Sequence, residues 1–306
     1  MILMNAPLLF IALLLDAVLG EPRWLWRRLP HPVVAVGRMI TWGDQTFNQG
    51  RMRRLKGALF IATLSFLAIF LGRLIELLPL GWLWSILGTA ILLAQKSLSQ
   101  HILAVADALR GSVDQGRETV AKIVGRETGA MDEPAIARAA IESAAENLSD
   151  GVVAPALWFL VGGLPGIIFY KVINTADSMI GHRTPRYREF GWAAARLDDV
   201  LNWLPARVTA LLCALTHPGH GGWRRVWSDA GHHRSPNAGW PEAAMAGILG
   251  VALSGPRAYH GNITTDPFLN PDGAKNISAI HIEAAVEAIW RIWGAVVGGI
   301  FFLTVL

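Results

Sequence analysis

Glu142–Arg207 reads ESAAENLSDGVVAPALWFLVGGLPGIIFYKVINTADSMIGHRTPRYREFGWAAARLDDVLNWLPAR. Two polar, carboxylate-rich blocks flank an apolar segment, Val152–Tyr170. That segment is nearly long enough to cross a bilayer, which takes about 20 apolar residues in a helix. Its middle holds Gly162, Gly163, Leu164, Pro165 and Gly166, a strong helix breaker. A single crossing would put the two polar blocks on opposite sides. The breaker instead predicts a helical hairpin that enters and returns, packed within protein. Irregular backbone at membrane depth survives only where protein or a watery cavity satisfies its hydrogen bonds. The expected fold is therefore all-α: a polytopic integral membrane protein with a re-entrant or broken helical hairpin and a cytoplasmic-facing helical region.

The first polar block sits on a predicted helix that opens at Asp132, Glu133 and Pro134, a cap residue followed by a proline in the first turn. Arg138, Glu142, Glu146 and Asp150 then recur every four residues. Like charges at this spacing repel, and a bound cation or facing arginines would relieve them. A solvated acidic face is the plainer reading. The acids run directly into apolar sequence, however, which favours a site at Glu142, Glu146 and Asp150, with Asn147 beside them.

In the second block Asn174, Asp177, Ser178, Gly181 and His182 fall on one helical face, with apolar residues around the rest. This predicts a pocket wall, with a packing network as the alternative. Gly181 would admit a ligand or a second backbone. Arg183, Arg186 and Arg196 follow, then Asp198, Asp199 and Asn202, then Arg207. Arginine forks suit phosphate or carboxylate, and paired aspartates suit Mg²⁺ held together with substrate phosphates. Intramolecular ion pairing would explain each of them singly. If the hairpin forms, Glu146 or Asp150 should come within about 4–6 Å of Asp177, one metal-bridged distance.

Composition agrees with a membrane protein. The 306 residues are 53% hydrophobic and 16% charged, where soluble domains carry about 25% charge. Thirteen tryptophans against three tyrosines fit interfacial anchoring. A net charge of +4 does not call for nucleic acid. The single cysteine, Cys213, excludes an intrachain disulfide scaffold. Met4–Gly20 lacks a basic start and a cleavage site, so it reads as a retained helix. Ala58–Pro79, Leu80–Leu98 and Ala284–Leu306 read as spans, with a tight turn at Pro79, Leu80 and Gly81. The segment Glu21–Lys56 is rich in arginine, which makes it a cytoplasmic loop. Val200–Leu215 contains Pro205 and Arg207 and shares the doubt about a simple crossing. No internal repeat is evident. The chain reads as one integrated domain: spanning helices over 1–98, a cytoplasmic-facing region over 99–280 and a final span over 284–306.

Taken in order, these residues resemble the CobD/CbiB family, the cobinamide-phosphate synthases of cobalamin biosynthesis. The resemblance runs nearly end to end. It includes LLLDAVLGEPRW with Asp16, Gly20, Pro22 and Arg23, and HPVVAVGR from His31 to Arg38. It continues through the Glu142–Gly151 and Asn174–His182 blocks, the Arg186–Arg207 stretch, and SPNAGWPE from Ser235 to Glu242. No single motif is diagnostic, but their order and spacing are specific. The histidines His217, His220, His232 and His233 lie outside the pattern and have no metal-site spacing.

The resemblance implies an amide-forming ligase of the bacterial inner membrane, multi-pass, with its site facing the cytoplasm. It would join a corrinoid, adenosylcobyric acid, to aminopropanol or its O-phosphate, using ATP and Mg²⁺. Membrane lipids, a second copy of the chain or other cobalamin-assembly enzymes would be its partners. Phosphorylating the propionate carboxylate would supply a leaving group. Glu146, Asp150, Asp177, Asp198 and Asp199 are the metal candidates. His182, Asp177 and Glu146 are the catalytic candidates, with His182 as base for the attacking ammonium. Asn147, Asn174, Ser178, Arg183, Arg186, Arg196, Arg207 and Asn237 are the substrate-binding candidates. Ser235–Glu242 is expected to form a wall or lid, with its helix starting at Pro241 and Glu242. No Walker-type loop marks an ATP site. Buried charge beside a broken helix also fits a membrane transporter or sensor.

Overall fold

The structure, a computed structural model, describes residues 1–219, 223–256, 258–259, 262–263 and 265–306, with backbone alone at 23–24, 224–225, 258–259 and 262–263. It is 73% helical with almost no strand, as the all-α expectation required. The helices are α1 (Ile2–Leu19), α2 (Arg23–Trp26), α3 (Pro32–Phe47), α4 (Arg53–Glu76), α5 (Gly81–Leu92), α6 (Gln95–Gly111) and α7 (Val113–Val120). There follow α8 (Glu133–Leu148), a π-turn at Ser149–Val153, α9 (Ala154–Ile180), α10 (Trp192–Leu201), α11 (Trp203–Thr216), α12 (Trp223–Ala230), α13 (Gly239–Leu249) and α14 (Ala279–Thr304). Leu253–Ser254 pairs antiparallel with Phe268–Leu269, and Ala258–Tyr259 with Asn262–Ile263. Ile2–Leu19, Arg53–Glu76, Glu133–Ile180 and Ala279–Thr304 are long and apolar enough to cross a membrane.

The helices sort into two compact units. The first comprises Met1–Ala94, Ala154–Asn202 and Ile300–Leu306, and the second Gln95–Val153 and Trp203–Gly299.

In the first unit α9 packs against α1, α3, α4, α5 and α10. It is two helices meeting at Gly163, whose φ of 65° and ψ of −155° no side-chain-bearing residue readily adopts. The rings of Trp158 and Phe169 lie 6.5 Å apart, where a straight helix would separate them by about 16 Å. A Cβ on Gly166 would collide with the carbonyl oxygen of Trp158. The chain therefore doubles back, as the breaker predicts. The break frees backbone groups that would each cost several kcal/mol in hydrocarbon. Asn5 Nδ2 donates to the carbonyls of Phe159 (3.2 Å) and Leu160 (3.1 Å). The Leu164 N–H donates to Glu76 Oε1 at 3.0 Å, while Arg73 donates to Glu76 Oε2 at 2.8 Å. Pro165 sits directly on Gly72, where a Cβ would not fit.

Two expectations change here. The span expected at Leu80–Leu98 is not one helix: α5 has 12 residues, about 18 Å, and ends where Leu93 turns extended at ψ 159°. The turn before it is as expected, with Leu80 left-handed at φ 59°. The segment expected as a loop, Glu21–Lys56, contains α3. His31 Nδ1 caps that helix by accepting the Val33 N–H at 3.2 Å, and Pro32 fills its first turn.

In the second unit the core gathers α6, α8, α11, α13 and α14. Asp132 caps α8 as predicted, accepting the Ala135 N–H at 2.9 Å. Helix α13 starts at Gly239, two residues before the expected Pro241. Ser235 Oγ accepts the N–H groups of Asn237 (3.3 Å) and Ala238 (3.2 Å) and so turns the chain early. Val200–Leu215 is interrupted at Asn202, where α10 ends and α11 begins.

Candidate functional site

The site of the first unit is built by α9 and α10. Along α9, Tyr170, Asn174 and Asp177 recur at helical spacing: Asn174 bonds Asp198 of α10, Tyr170 bonds Asn202 and Asp177 acts on Asp198 through its charge. Asp198 is buried, with 9% of its surface exposed. Its carboxylate accepts from Asn202 Nδ2 at 3.0 Å and from Asn174 Nδ2 at 3.3 Å. The Tyr170 hydroxyl donates to Asn202 Oδ1 at 2.9 Å, which fixes that amide. Burial, and then the neighbouring Asp177, push the Asp198 carboxyl up to about 7, against the pull of the two amides.

Asp198 and Asp199 do not face one another's ligand. Successive helical positions point about 100° apart. Asp199 turns to Arg196 at 3.6 Å. Burial raises its pKa, opposed by Arg196 and Arg183. The carboxylate whose charge acts most on Asp198 is Asp177. Among the described residues no three acid, imidazole or thiol groups form a ready metal cluster. Mg²⁺ shared with substrate phosphates needs only one or two carboxylates. A cation at Asp177 and Asp198 would also relieve their repulsion, so this donor set fits Mg²⁺.

Other candidates of this unit have different surroundings. Helix α9 ends at Ile180, so His182 lies beyond it, exposed, rather than on the expected helical face. The space beside Gly181 is filled by the carboxylate of Asp177, not by a second backbone, and a Cβ there would collide with it. Ser178 Oγ donates back to the Asn174 carbonyl at 2.9 Å. Arg186 donates to the buried Asp44 at 2.6 Å, which with Asn48 ties α3 to the segment after α9. Arg183 is exposed.

In the second unit Glu142 is buried. It accepts from Arg126 Nη2 at 2.6 Å and from the Ser254 N–H at 2.7 Å. Glu146 and Asn147 are exposed, and Asp150 is half-buried on the π-turn. Asn147 Nδ2 donates to the Ser143 carbonyl at 2.9 Å. Arg207 lies over the rings of Trp203 and Trp240, 4.6 Å from each centroid, and donates to Asn237 Oδ1 at 3.1 Å. Desolvation lowers its pKa. Asn237 thereby links the turn before α13 to Arg207 of α11. His233 Nε2 lies 3.4 Å from Glu242 Oε1, and His217 is bonded to Thr216 at 3.0 Å. His220 lies outside the described residues.

Sequence reasoning missed Tyr170, Asp44 and Arg126. Tyr170 had a signal: it stands one helical turn before Asn174. Asp44 and Arg126 had none, because their partners are distant in sequence.

A helical integral membrane protein with a broken hairpin carrying the half-buried Asp177 beside the buried Asp198 is the class that fold and site define. The family model described as CobD/Cbib protein matches residues 9–289. The chain is 50% identical to the "Cobalamin biosynthesis protein CobD" of Brucella suis biovar 1 (strain 1330), over 95% of this chain and 94% of that one. It is 49% identical to the protein of the same name from Rhizobium meliloti (strain 1021), over 92% of each. The figure for Rhodobacter capsulatus is 47%, over 87% of each. The chain belongs to the CobD/CbiB family. No solved structure matches it.

Proposed function

We propose that this protein acts in cobalamin biosynthesis as an adenosylcobinamide-phosphate synthase of the bacterial inner membrane. It joins adenosylcobyric acid to aminopropanol or its O-phosphate through an ATP-dependent amide bond. The observation that carries the reading is buried Asp198, held by Asn174 and Asn202 with Tyr170 behind them and lying within electrostatic reach of Asp177, in a chain of this family.

A carboxylate does not condense with an ammonium group unaided. ATP supplies a leaving group by phosphorylating the propionate, and Mg²⁺ offsets the charge on its phosphates. Asp177 and Asp198 would hold that cation. The amide clamps keep the Asp198 oxygens oriented and leave little room for rotation. A cation held by Asp198 would commit that carboxylate, so the proton that the ammonium must lose before it attacks needs a different acceptor. His182, exposed at the end of α9, is the alternative base. Arg183 and Arg196 stand near enough to Asp199 to act on its charge, and they offer guanidinium groups to substrate anions.

Purified protein in detergent should convert adenosylcobyric acid and one of the two amines to the amide, read by mass spectrometry, only with ATP and Mg²⁺. Transport has no meaning in that assay. No product with either amine would overturn the reading and favour the transporter or sensor.

A further inference from the structure

One cavity of the second unit is lined by two arginines that the proposed reaction does not use. It has a volume of about 630 Å³ and lies where the α7–α8 connection meets Ser254 and Pro256. That size suits a small organic ligand, for which pockets run from about 300 to 1,000 Å³. Its walls include apolar surface from Met131, Ala135 and Pro256, and two guanidinium groups, Arg126 and Arg138.

Arg126 is the informative residue. Its side chain is only 10% exposed, and that of its partner Glu142 only 7%. A guanidinium has five N–H donors. Arg126 uses Nη2 for Glu142, and among the described residues it has no other hydrogen-bond partner. Glu142 is itself fixed, since its second oxygen accepts the Ser254 N–H at 2.7 Å. The carboxylate thus clamps one edge of a desolvated guanidinium that lines a cavity with donors to spare. Burying such a pair is expensive, and an acceptor in the cavity for the remaining donors would offset part of that cost. Arg138, the second guanidinium of the lining, donates to the carbonyls of Ala252 (3.1 Å) and Lys275 (3.0 Å). The acids on the rim are Glu127, exposed, and Asp132, which is engaged in capping α8. Neither is bonded to Arg126.

We propose that this cavity binds a small molecule carrying an oxyanion, phosphate or carboxylate, with the oxyanion on Arg126 and the uncharged body on Met131, Ala135 and Pro256. Arginine in a water-poor site is suited to either group, through charge-assisted bonds about twice as strong as neutral ones. The inference does not depend on the reaction proposed above. It places an anion subsite that needs no cation, whereas Asp177 and Asp198 repel an anion unless a cation is bound.

The test uses the full chain in detergent, with EDTA, and three probes: ATP, inorganic phosphate and propionate. Phenylglyoxal modifies accessible guanidinium groups, and peptide mass spectrometry reads Arg126. At least one probe should protect Arg126 saturably. Ala130→Trp, at an exposed cavity-lining position away from the ion pair, should weaken that protection at least tenfold. Asp177→Asn should leave it within twofold. Protection by ATP alone would mark a nucleotide, by phosphate a phosphorylated substrate, and by propionate a carboxylate substrate. Arg126→Gln would strand Glu142 in the core, so the decision rests on the wild type and the Ala130 variant. If no probe protects Arg126, or if Ala130→Trp leaves protection unchanged, the proposal fails.

Discussion

Asp198 is where the site's electrostatics can be read directly. Its ordinary pKa is 3.8, and the fold raises it to about 7. Between those values the unfolded chain releases the proton and the folded chain keeps it. Stability is therefore lost as pH rises from about 4 to about 7, and no further loss follows above that. Asp198→Asn removes the titration. It also exchanges an acceptor for a donor facing Asn174 or Asn202, which shifts the unfolding midpoint by a constant amount. Only the pH slope reports the carboxyl. Thermal unfolding in detergent should show the variant gaining on wild type between about pH 4 and 7, then running parallel. At pH 8, Mg²⁺ should raise the wild-type midpoint and leave that of Asp198→Asn unmoved. Parallel profiles throughout would remove Asp198 from the site. The α9 half of this site was legible, because Asn174 and Asp177 sit on one face of an otherwise apolar helix. The α10 half was not. Asp198 and Asp199 look equivalent in sequence, and only the packing of α10 on α9 decides which one is buried.

At the scale of elements, the broken helix follows from local chemistry, and so it could be read from sequence. Glycine and proline act on their own backbone, and no distant partner is needed to say that Gly162–Gly166 interrupts a helix. Its capping by Asn5 and Glu76 was invisible, since both come from other helices. The opposite failure occurred at Leu93. No glycine or proline between Thr89 and Leu98 gave a sign that α5 ends there, because hydropathy measures composition and not backbone conformation. Gly163 offers the sharpest test of the break. Alanine there must hold φ at 65° and ψ at −155° and place a Cβ against Glu76 Oε1. The strain alone is about 1–3 kcal/mol. Gly162→Ala, with open space beside it, should change stability by no more than about 0.5 kcal/mol. Unfolding of the two variants in mixed micelles measures the difference. Equal stability would mean that the hairpin does not depend on the backbone at Gly163.

At the scale of the molecule, the two ends of α4 orient the first unit. The hairpin break contacts α4 at Gly72 and Glu76, while the Phe190 backbone packs on Gly57 near its start. Asp198 and Asp177 belong to the Phe190 end, beside the basic run Arg51, Arg53, Arg54 and Lys56. Arg54 stacks on Trp192 at 3.9 Å, and Asp44, an acid in the basic segment, is neutralised by Arg186. That pairing leaves the net charge of this end unchanged, but the run Arg51, Arg53, Arg54 and Lys56 remains, and ends rich in Lys and Arg are expected to stay in the cytoplasm. Helix α4 is 24 residues long, about 36 Å, enough to cross about 30 Å of hydrocarbon. Arg51 and Leu78 should then lie on opposite sides. The one native thiol will not interfere: Cys213 is buried and its pKa is pushed up to about 12, so it has almost no thiolate to react with a maleimide. A membrane-impermeant maleimide should label Leu78→Cys in intact spheroplasts and Arg51→Cys only after lysis. Labelling of both in intact spheroplasts would show that α4 does not cross. The reverse pattern would place the carboxylate pair on the outer face, away from cytoplasmic ATP, and the proposed ligase reaction could not proceed there.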